Sequence, residues 1–223
     1  MPYKAIDPAT GKIEPIESFI KKNITKGICA VCDQSLTIRA DVTPGTRPHF
    51  WHGSSVSNCP SVKKNRVRYE DLPPSKKNES TGVLLKEDVK NKLHTIYLAC
   101  QAITGKIITK KDFLSCLEKA NKKNIWEYDG LTIDYVPYIL LCFLEKYYFD
   151  VWNGKSFHPE ITHFILDLNI KYLDDLWNKQ SVIKQKIWHM DSSGDVIKKI
   201  DIKPGLNIVP FYFENWVKVA FPT

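Results

Sequence analysis

The spacing of hydrophobic and polar residues changes twice along this chain of 223 residues. The first third carries short alternating runs, which are typical of strands. From about Val83 the apolar residues recur every three or four positions, as in Leu85, Val89 and Leu93, and this period indicates helices. Alternation returns after Val182. The pattern predicts an α+β protein in which a small β module precedes a mostly helical domain with a C-terminal β hairpin.

In the first region, residues 3–6 and 12–16 are expected to pair across the turn-forming sequence of residues 7–11. A short helix is predicted over residues 18–24. Strands are predicted over residues 36–39 and 48–52, on either side of a Pro-Gly turn. This order of strands is similar to that of a zinc-ribbon hairpin.

In the second region, the helical period predicts one helix from Val83 to about Ile103 and a second helix that Thr109 caps. A third helix is expected over residues 134–148, with Pro137 in its first turn. Two short helices are expected over residues 158–168 and 171–178. A hairpin of residues 182–190 and 196–202 follows, with further strands over 206–210 and 216–221.

A change of composition separates the two regions. Residues 61–68 are basic, and the segment after Asp71 is rich in Pro, Ser and charged residues. We therefore predict a β module over residues 1–70, a linker over residues 71–82 and the larger domain over residues 83–223.

Composition restricts the cellular compartment and the kinds of partner that we expect for this protein. No apolar run approaches the roughly 20 residues of a membrane helix, and the N-terminus has no apolar signal region. We therefore expect a cytoplasmic protein without a membrane partner. In a reducing cytosol, clustered cysteines favour a metal over a disulfide. The net charge of +7 is compatible with a polyanionic partner such as nucleic acid.

Five potential metal ligands lie close together in the first region: Cys29, Cys32, His49, His52 and Cys59. A C-x2-C turn supplies two thiolates from one knuckle, and zinc prefers four such ligands. The two histidines are three residues apart on a predicted strand, so they face opposite sides. Our preferred ligand set for a structural Zn2+ is Cys29, Cys32, His52 and Cys59, and the alternative set takes His49 in place of Cys59.

These motifs resemble the N-terminal zinc module of the competence protein CoiA-like family. The residues that carry the resemblance are Cys29-Ala-Val-Cys32, Leu36-Thr-Ile-Arg39, Arg47-Pro-His-Phe-Trp-His52 and Cys59, with Ala5-Ile-Asp-Pro-Ala-Thr-Gly-Lys12 before them. They cover about a quarter of the chain. In that family a restriction-endonuclease-like nuclease domain follows the module. The resemblance therefore implies DNA-related work, in DNA uptake or in defence against foreign DNA.

Two groups of residues are candidates for contacts with partners. The side chains expected to bind backbone phosphates are Arg39, Arg47, Lys63, Lys64, Arg66 and Arg68. A dense aromatic cluster runs from Trp126 to Trp152. Its aromatic residues either fill the core of the helical domain or form an interface for a protein partner.

A Mg2+-dependent nuclease is the enzymatic alternative. Such an enzyme needs acidic residues beside a lysine, and Asp201-Ile-Lys203 has the second half of that pattern. Asp191 or Asp195 is the candidate for the first acid. The function predicted from the sequence is a zinc-stabilised, DNA-associated binding protein. A nuclease and a protein-interaction subunit of a larger defence complex are the alternatives.

Overall fold

The computed structural model describes residues 2–40, 44–53, 59, 61–62, 71–105, 108–144, 147–149, 160–203 and 205. In chain order its strands are β1 (Lys4–Ile6), β2 (Ile13–Pro15), β3 (Lys26–Ile28), β4 (Ser35–Arg39), β5 (His49–His52), β6 (Tyr147–Phe149), β7 (Glu160–Ile165), β8 (Lys186–Asp191) and β9 (Val196–Asp201). Its helices are α1 (Ile16–Lys21), α2 (Glu79–Asn91), α3 (Leu93–Thr104), α4 (Lys110–Lys123), α5 (Val136–Cys142) and α6 (Asp175–Asn178), with a 3-10 turn over Ile125–Glu127. Helices and antiparallel sheets together confirm the predicted α+β class.

The N-terminal sheet has five antiparallel strands in the order β2-β1-β3-β4-β5. This region contributes few large side chains to the buried core, and the largest of them are Phe19, Phe50, Ile16 and Leu36, each no more than 1% exposed. A Cβ atom on Gly27 would lie only 2.8 Å from the Cβ atom of Ala5, so β1 and β3 approach closely at this point. Few apolar side chains are available to stabilise this region.

Two helices replace the single helix that we predicted over residues 83–103. Helix α2 begins at Glu79, where the side chain of Asn78 accepts a hydrogen bond from Thr81 N. It ends at Asn91, and α3 begins after Lys92. The apolar period continues through the break, and for this reason the sequence predicted one helix. Helix α4 begins as predicted, because Thr109 and Asp112 form a reciprocal capping box.

The stretch after α4 departs most from our predictions. Helix α5 has Pro137 in its first turn as expected, but it ends at Cys142, and residues 147–149 form strand β6. The helix predicted over residues 158–168 is wrong, because residues 160–165 form strand β7 between β6 and β8. Phe164, Ile165 and Leu166 are all buried, so the alternation that marks a strand is missing there.

The C-terminal sheet has four antiparallel strands in the order β6-β7-β8-β9. The predicted hairpin is confirmed as β8 and β9, with Ile187 opposite Ile200 and Lys186 opposite Asp201. Ile187, Trp188 and Met190 are almost fully buried. Of the two short helices predicted before the hairpin, only the second is present, as α6. The strands predicted over residues 206–210 and 216–221 lie outside the described residues.

The segment predicted as a linker is held by hydrogen bonds over much of its length. Ser75 N donates to the carboxylate of Asp174 (2.9 Å), and Leu173 N donates to the carbonyl of Pro73 (3.3 Å). Asn78 N donates to the carbonyl of Glu127 (2.7 Å), and helix α2 takes up the end of the segment. The domain boundaries themselves stay a prediction.

Direct contacts join the two sheets. The backbone N–H groups of Tyr3 and Lys4 each donate to Asp195 Oδ1 at 2.7 Å. The indole N–H of Trp188 donates to the carbonyl of Ala30 at 3.2 Å. Lys184 forms an ion pair with Asp33. The cysteine knuckle therefore packs on the hairpin of β8 and β9.

The aromatic cluster is core over much of its described part. Trp126, Tyr128, Tyr135, Tyr138 and Phe143 are each at most 7% exposed. These five residues are therefore not available as a surface for a partner. None of the described helices has the length and apolar character that crossing a membrane requires.

Candidate metal centre and basic face

The knuckle that carries the first two cysteines is a tight turn between β3 and β4. Cys29 N donates to the carbonyl of Gln34 (2.8 Å), and Asp33 N donates to the carbonyl of Cys29 (3.0 Å). Asp33 has a positive φ of 58°, which closes the turn. Val31 N lies 3.5 Å from Cys29 Sγ and donates to it. The turn thus holds both cysteine side chains on one side of the sheet.

Strand β5 and the chain beyond it supply the other two side chains. In the register of β4 and β5, Leu36 is opposite His52 and Ile38 is opposite Phe50. His52 therefore lies on the buried face of the sheet beside the knuckle, and it is 6% exposed. Cys59 lies next to Cys29 and is 1% exposed.

These four side chains form one compact group. The ligand atoms of Cys29, Cys32, His52 and Cys59 all lie within 4.8 Å of one another, and this is the one such group among the described residues. Cys29 Sγ is 3.8 Å from Cys59 Sγ, and Cys32 Sγ is 3.5 Å from His52 Nε2. A tetrahedral zinc with its usual bond lengths would place two sulfurs about 3.8 Å apart, and a sulfur and a nitrogen about 3.6 Å apart. Both distances fit such an ion.

Burial and mutual contact perturb the ionisable groups of the cluster. Donation from Cys32 and Cys59 lowers the pKa of the Cys29 thiol. Contacts with Cys29 and Cys59, together with burial, raise the pKa of the Cys32 thiol. Burial alone would lower the pKa of His52, but contacts with the sulfurs of Cys29 and Cys59 outweigh burial and raise it to about 9. The shifts therefore favour a negative charge on Cys29 and keep the protons on Cys32 and His52, and a bound cation would displace those protons.

The group of four matches our preferred ligand set and not the alternative set, in which His49 takes the place of Cys59. His52 belongs to the group of four. His49 lies three residues earlier at a half-buried position, and its Nδ1 is 3.2 Å from the carbonyl oxygen of Arg47. His49 and His52 face opposite sides of β5, as their spacing predicts.

A buried hydroxyl accompanies the sulfurs. Ser61 is 2% exposed, and its Oγ lies 3.1 Å from Cys59 Sγ and 3.8 Å from Cys29 Sγ. A serine hydroxyl can donate to a thiolate and spread its charge. The sequence pattern gave no reason to select Ser61, because a serine two residues after a cysteine is common.

The outer face of the same sheet carries basic and aromatic side chains. Thr37 is paired on one side with Lys26 and on the other with Trp51, and Arg39 is paired with His49. The Arg39 guanidinium lies over the Trp51 ring, with Cζ 4.5 Å from the ring centroid. None of these five face residues is acidic. We call Lys26, Thr37, Arg39, His49 and Trp51 the basic face.

Arg47 forms a second pair of this kind. Its Cζ atom lies 4.2 Å from the centroid of the Tyr3 ring. An exposed ion pair with Glu17 at 3.5 Å also involves Arg47. Of the predicted phosphate-binding residues, Arg39 and Arg47 are thus described beside aromatic rings, whereas Lys63, Lys64, Arg66 and Arg68 lie outside the described residues. Lys26, Trp51 and Tyr3 were not among the predicted residues, although strand alternation places Trp51 on the same side as His49.

The candidate nuclease residues come together only in part. Asp191 ends β8, and its Oδ1 accepts hydrogen bonds from Ser193 N, Gly194 N and Asp195 N, so it closes the hairpin turn. Asp201 is opposite Lys186 at the other end of β8, about 16 Å away along the strand.

The remaining candidates are also engaged in the fold. The carboxylate of Asp195 accepts the backbone N–H groups of Tyr3 and Lys4. The backbone of Lys203 exchanges hydrogen bonds with the hydroxyl of Tyr138. Asp191 and Asp195 do lie close together, because both carboxylates accept a hydrogen bond from Ser193 Oγ (2.6 and 3.2 Å). Asp201 and Lys203 are not beside this pair, so the predicted combination of acids and lysine is not assembled at these positions.

Comparisons with protein-family models, with curated proteins and with solved structures find no match to this chain. The candidate site therefore has to be judged on its own geometry and chemistry.

Proposed function

We propose that the cluster of Cys29, Cys32, His52 and Cys59 binds one structural Zn2+. The 3.8 Å and 3.5 Å separations within the cluster support this proposal, because they fit a tetrahedral ion. Four protein ligands leave no coordination position for a substrate, so the ion would act as a scaffold. It would hold the knuckle and β5 together in a region with a small apolar core.

On this scaffold the protein would bind DNA through the basic face and Arg47. The observation that carries this function is the pair of arginines stacked on aromatic rings, Arg39 on Trp51 and Arg47 on Tyr3. Stacking fixes the plane of a guanidinium and leaves its N–H edge open to phosphate oxygens. Arg47 would exchange its exposed ion pair with Glu17 for such a contact. Contacts of this kind give affinity without sequence specificity.

The test is a titration of fluorescently labelled DNA by anisotropy at about 50 and about 200 mM salt. We expect binding that weakens steeply with salt, because phosphate contacts release counterions. The double variant R39A/R47A should bind at least tenfold more weakly. The control K86A/K111A removes two exposed lysines from α2 and α4 and should bind within about twofold of the wild type. Absent or salt-insensitive binding by the wild type would remove this function.

A further inference from the structure

The shape and composition of the basic face say more than that it is positively charged. Lys26, Thr37 and Trp51 form one row across three strands, and Arg39 lies diagonally beside Trp51. A flat row on a sheet presents no projecting helix or ribbon that could enter a groove of duplex DNA. It presents a guanidinium that lies over an aromatic ring.

We propose that the basic face binds single-stranded DNA and that unpaired bases stack on the Arg39–Trp51 pair. This inference rests on the proposed function, since it names the form of DNA that the same face takes. Arg39 would act as a stacking plane as well as a charge.

The stacking step follows from the geometry of the pair. Trp51 covers one side of the Arg39 guanidinium at 4.5 Å. Arg39 is exposed, so its other side faces solvent, where a flat base can lie on it. Aromatic rings and guanidinium planes are the surfaces on which proteins stack unpaired bases, and bases inside a duplex do not offer their faces.

Charge complementarity supports the same occupant. Lys26 and Arg39 are exposed on this face, and the structure shows no ion pair for either of them among the described residues. A backbone that crosses the row from Lys26 towards Arg39 would meet Lys26 beside the stacked base and the charge of Arg39 beneath it. Successive strands are about 4.8 Å apart, so the row is wide enough for two or three nucleotides.

The experiment compares a 20-nucleotide dT strand, a 20-base-pair duplex and a 20-unit abasic strand at one salt concentration. Abasic DNA keeps the phosphates and lacks the bases. We expect the wild type to bind the dT strand more tightly than the other two. W51A should lose about tenfold or more in affinity for the dT strand and change little for the abasic strand.

A second variant separates stacking from charge. R39K keeps the positive charge but has no plane, so it should weaken binding of the dT strand and leave duplex binding within about twofold. Y172A is the matched control, because Tyr172 is an exposed aromatic residue (41%) away from this sheet. Zinc content and far-UV circular dichroism of every variant establish that the fold is retained.

The outcomes separate the two proposals. If the wild type binds DNA but W51A and R39K bind the dT strand as it does, the stacking inference is overturned and DNA binding stands. The stacking inference is likewise overturned if both variants weaken duplex and dT binding equally. If the wild type binds none of the three DNAs, both proposals fail.

Discussion

The two sheets of this protein differ in the interactions that stabilise them. The N-terminal sheet has strands of three to five residues, and its described strands and knuckle enclose a cluster of sulfur and imidazole ligands. The C-terminal sheet has three strands of six residues and buries Ile187, Trp188 and Met190. Small cores commonly need a metal or a disulfide, whereas larger ones do not. The first sheet should therefore depend on its ion, and the second on its side chains.

Removing the metal should have the largest effect, and the effect should be greatest in the N-terminal sheet. H52A deletes one of four ligands, and structural zinc contributes about 10 kcal/mol or more to the folding of small zinc modules. We expect H52A to lose bound zinc and to lose amide protection in β3, β4 and β5, with protection retained in α3 and reduced less in β8, whose Trp188 loses its partner Ala30. Elemental analysis and hydrogen exchange measure both effects.

H49A is the matched control for this prediction, because His49 lies on the same strand and is outside the cluster. It should keep one zinc per chain. Equal loss of protection in both sheets of H52A would break the contrast, and so would a zinc-free wild type with a normal melting curve.

Lowering the pH should destabilise the C-terminal sheet. Burial and the nearby Lys198 lower the pKa of His189 to about 4, below the ordinary value of 6.5. As the pH falls from 6.5 towards 4, the unfolded chain takes up this proton first, so the free energy of unfolding decreases by up to about 3 kcal/mol. Above this range of pH the residue should have no effect on the pH dependence.

H189F removes this titration and keeps a ring to stack on Phe164, whose centroid is 4.8 Å from that of His189. Urea unfolding of both proteins at a series of pH values from neutral down to about 4 gives the difference in slope. Parallel curves for the wild type and H189F would contradict the prediction. Zinc loss in acid would affect both proteins alike, so the difference reports His189 alone.

The bond between Trp188 and the knuckle tests whether the two sheets are independent. W188F removes the indole N–H that reaches the carbonyl of Ala30 and leaves a small cavity, at a cost of about 2 kcal/mol. We expect the loss to appear as faster amide exchange in both the knuckle and β8.

W126F is the control, because the buried indole of Trp126 donates to Asn121 among the helices. It should destabilise the protein by a similar amount without faster exchange in the knuckle. If W188F affects β8 alone, the sheets are separate units despite their contacts.

The structural features that we predicted correctly depend on residues that lie close together in the sequence. The cysteine knuckle, the capping box at Thr109 and the hairpin of β8 and β9 each depend on residues a few positions apart. Their spacing is visible in the sequence. Our preference for the ligand set without His49 depended on strand parity in the same way, because His49 and His52 face opposite sides of β5 and only His52 is on the side of Phe50.

The errors concern residues whose partners are distant in sequence. Strand β7 lies between β6 and β8, and the consecutive burial of Phe164 and Ile165 left no alternation to distinguish it from a helix. The contact of Arg47 with Tyr3 and the closure of Asp195 on the first strand join distant parts of the chain. Short-range patterns carry no information about such pairs, and the phosphate-binding prediction therefore named arginines without the rings beneath them.

The smallest expected effect concerns how tightly the first sheet holds its ion. Three thiolates and one imidazole around Zn2+ leave a buried negative charge, and the hydroxyl of Ser61 is placed to donate to Cys59 Sγ. S61A should release zinc to a colorimetric chelator about tenfold faster, in line with other residues that orient metal ligands. S61T keeps the hydroxyl and should restore slow release.

T37V removes another buried hydroxyl from the same sheet, away from the sulfurs, and should behave as the wild type. If S61A and T37V release zinc at the same rate, Ser61 only fills space, and the stability of the cluster comes from its four ligands alone.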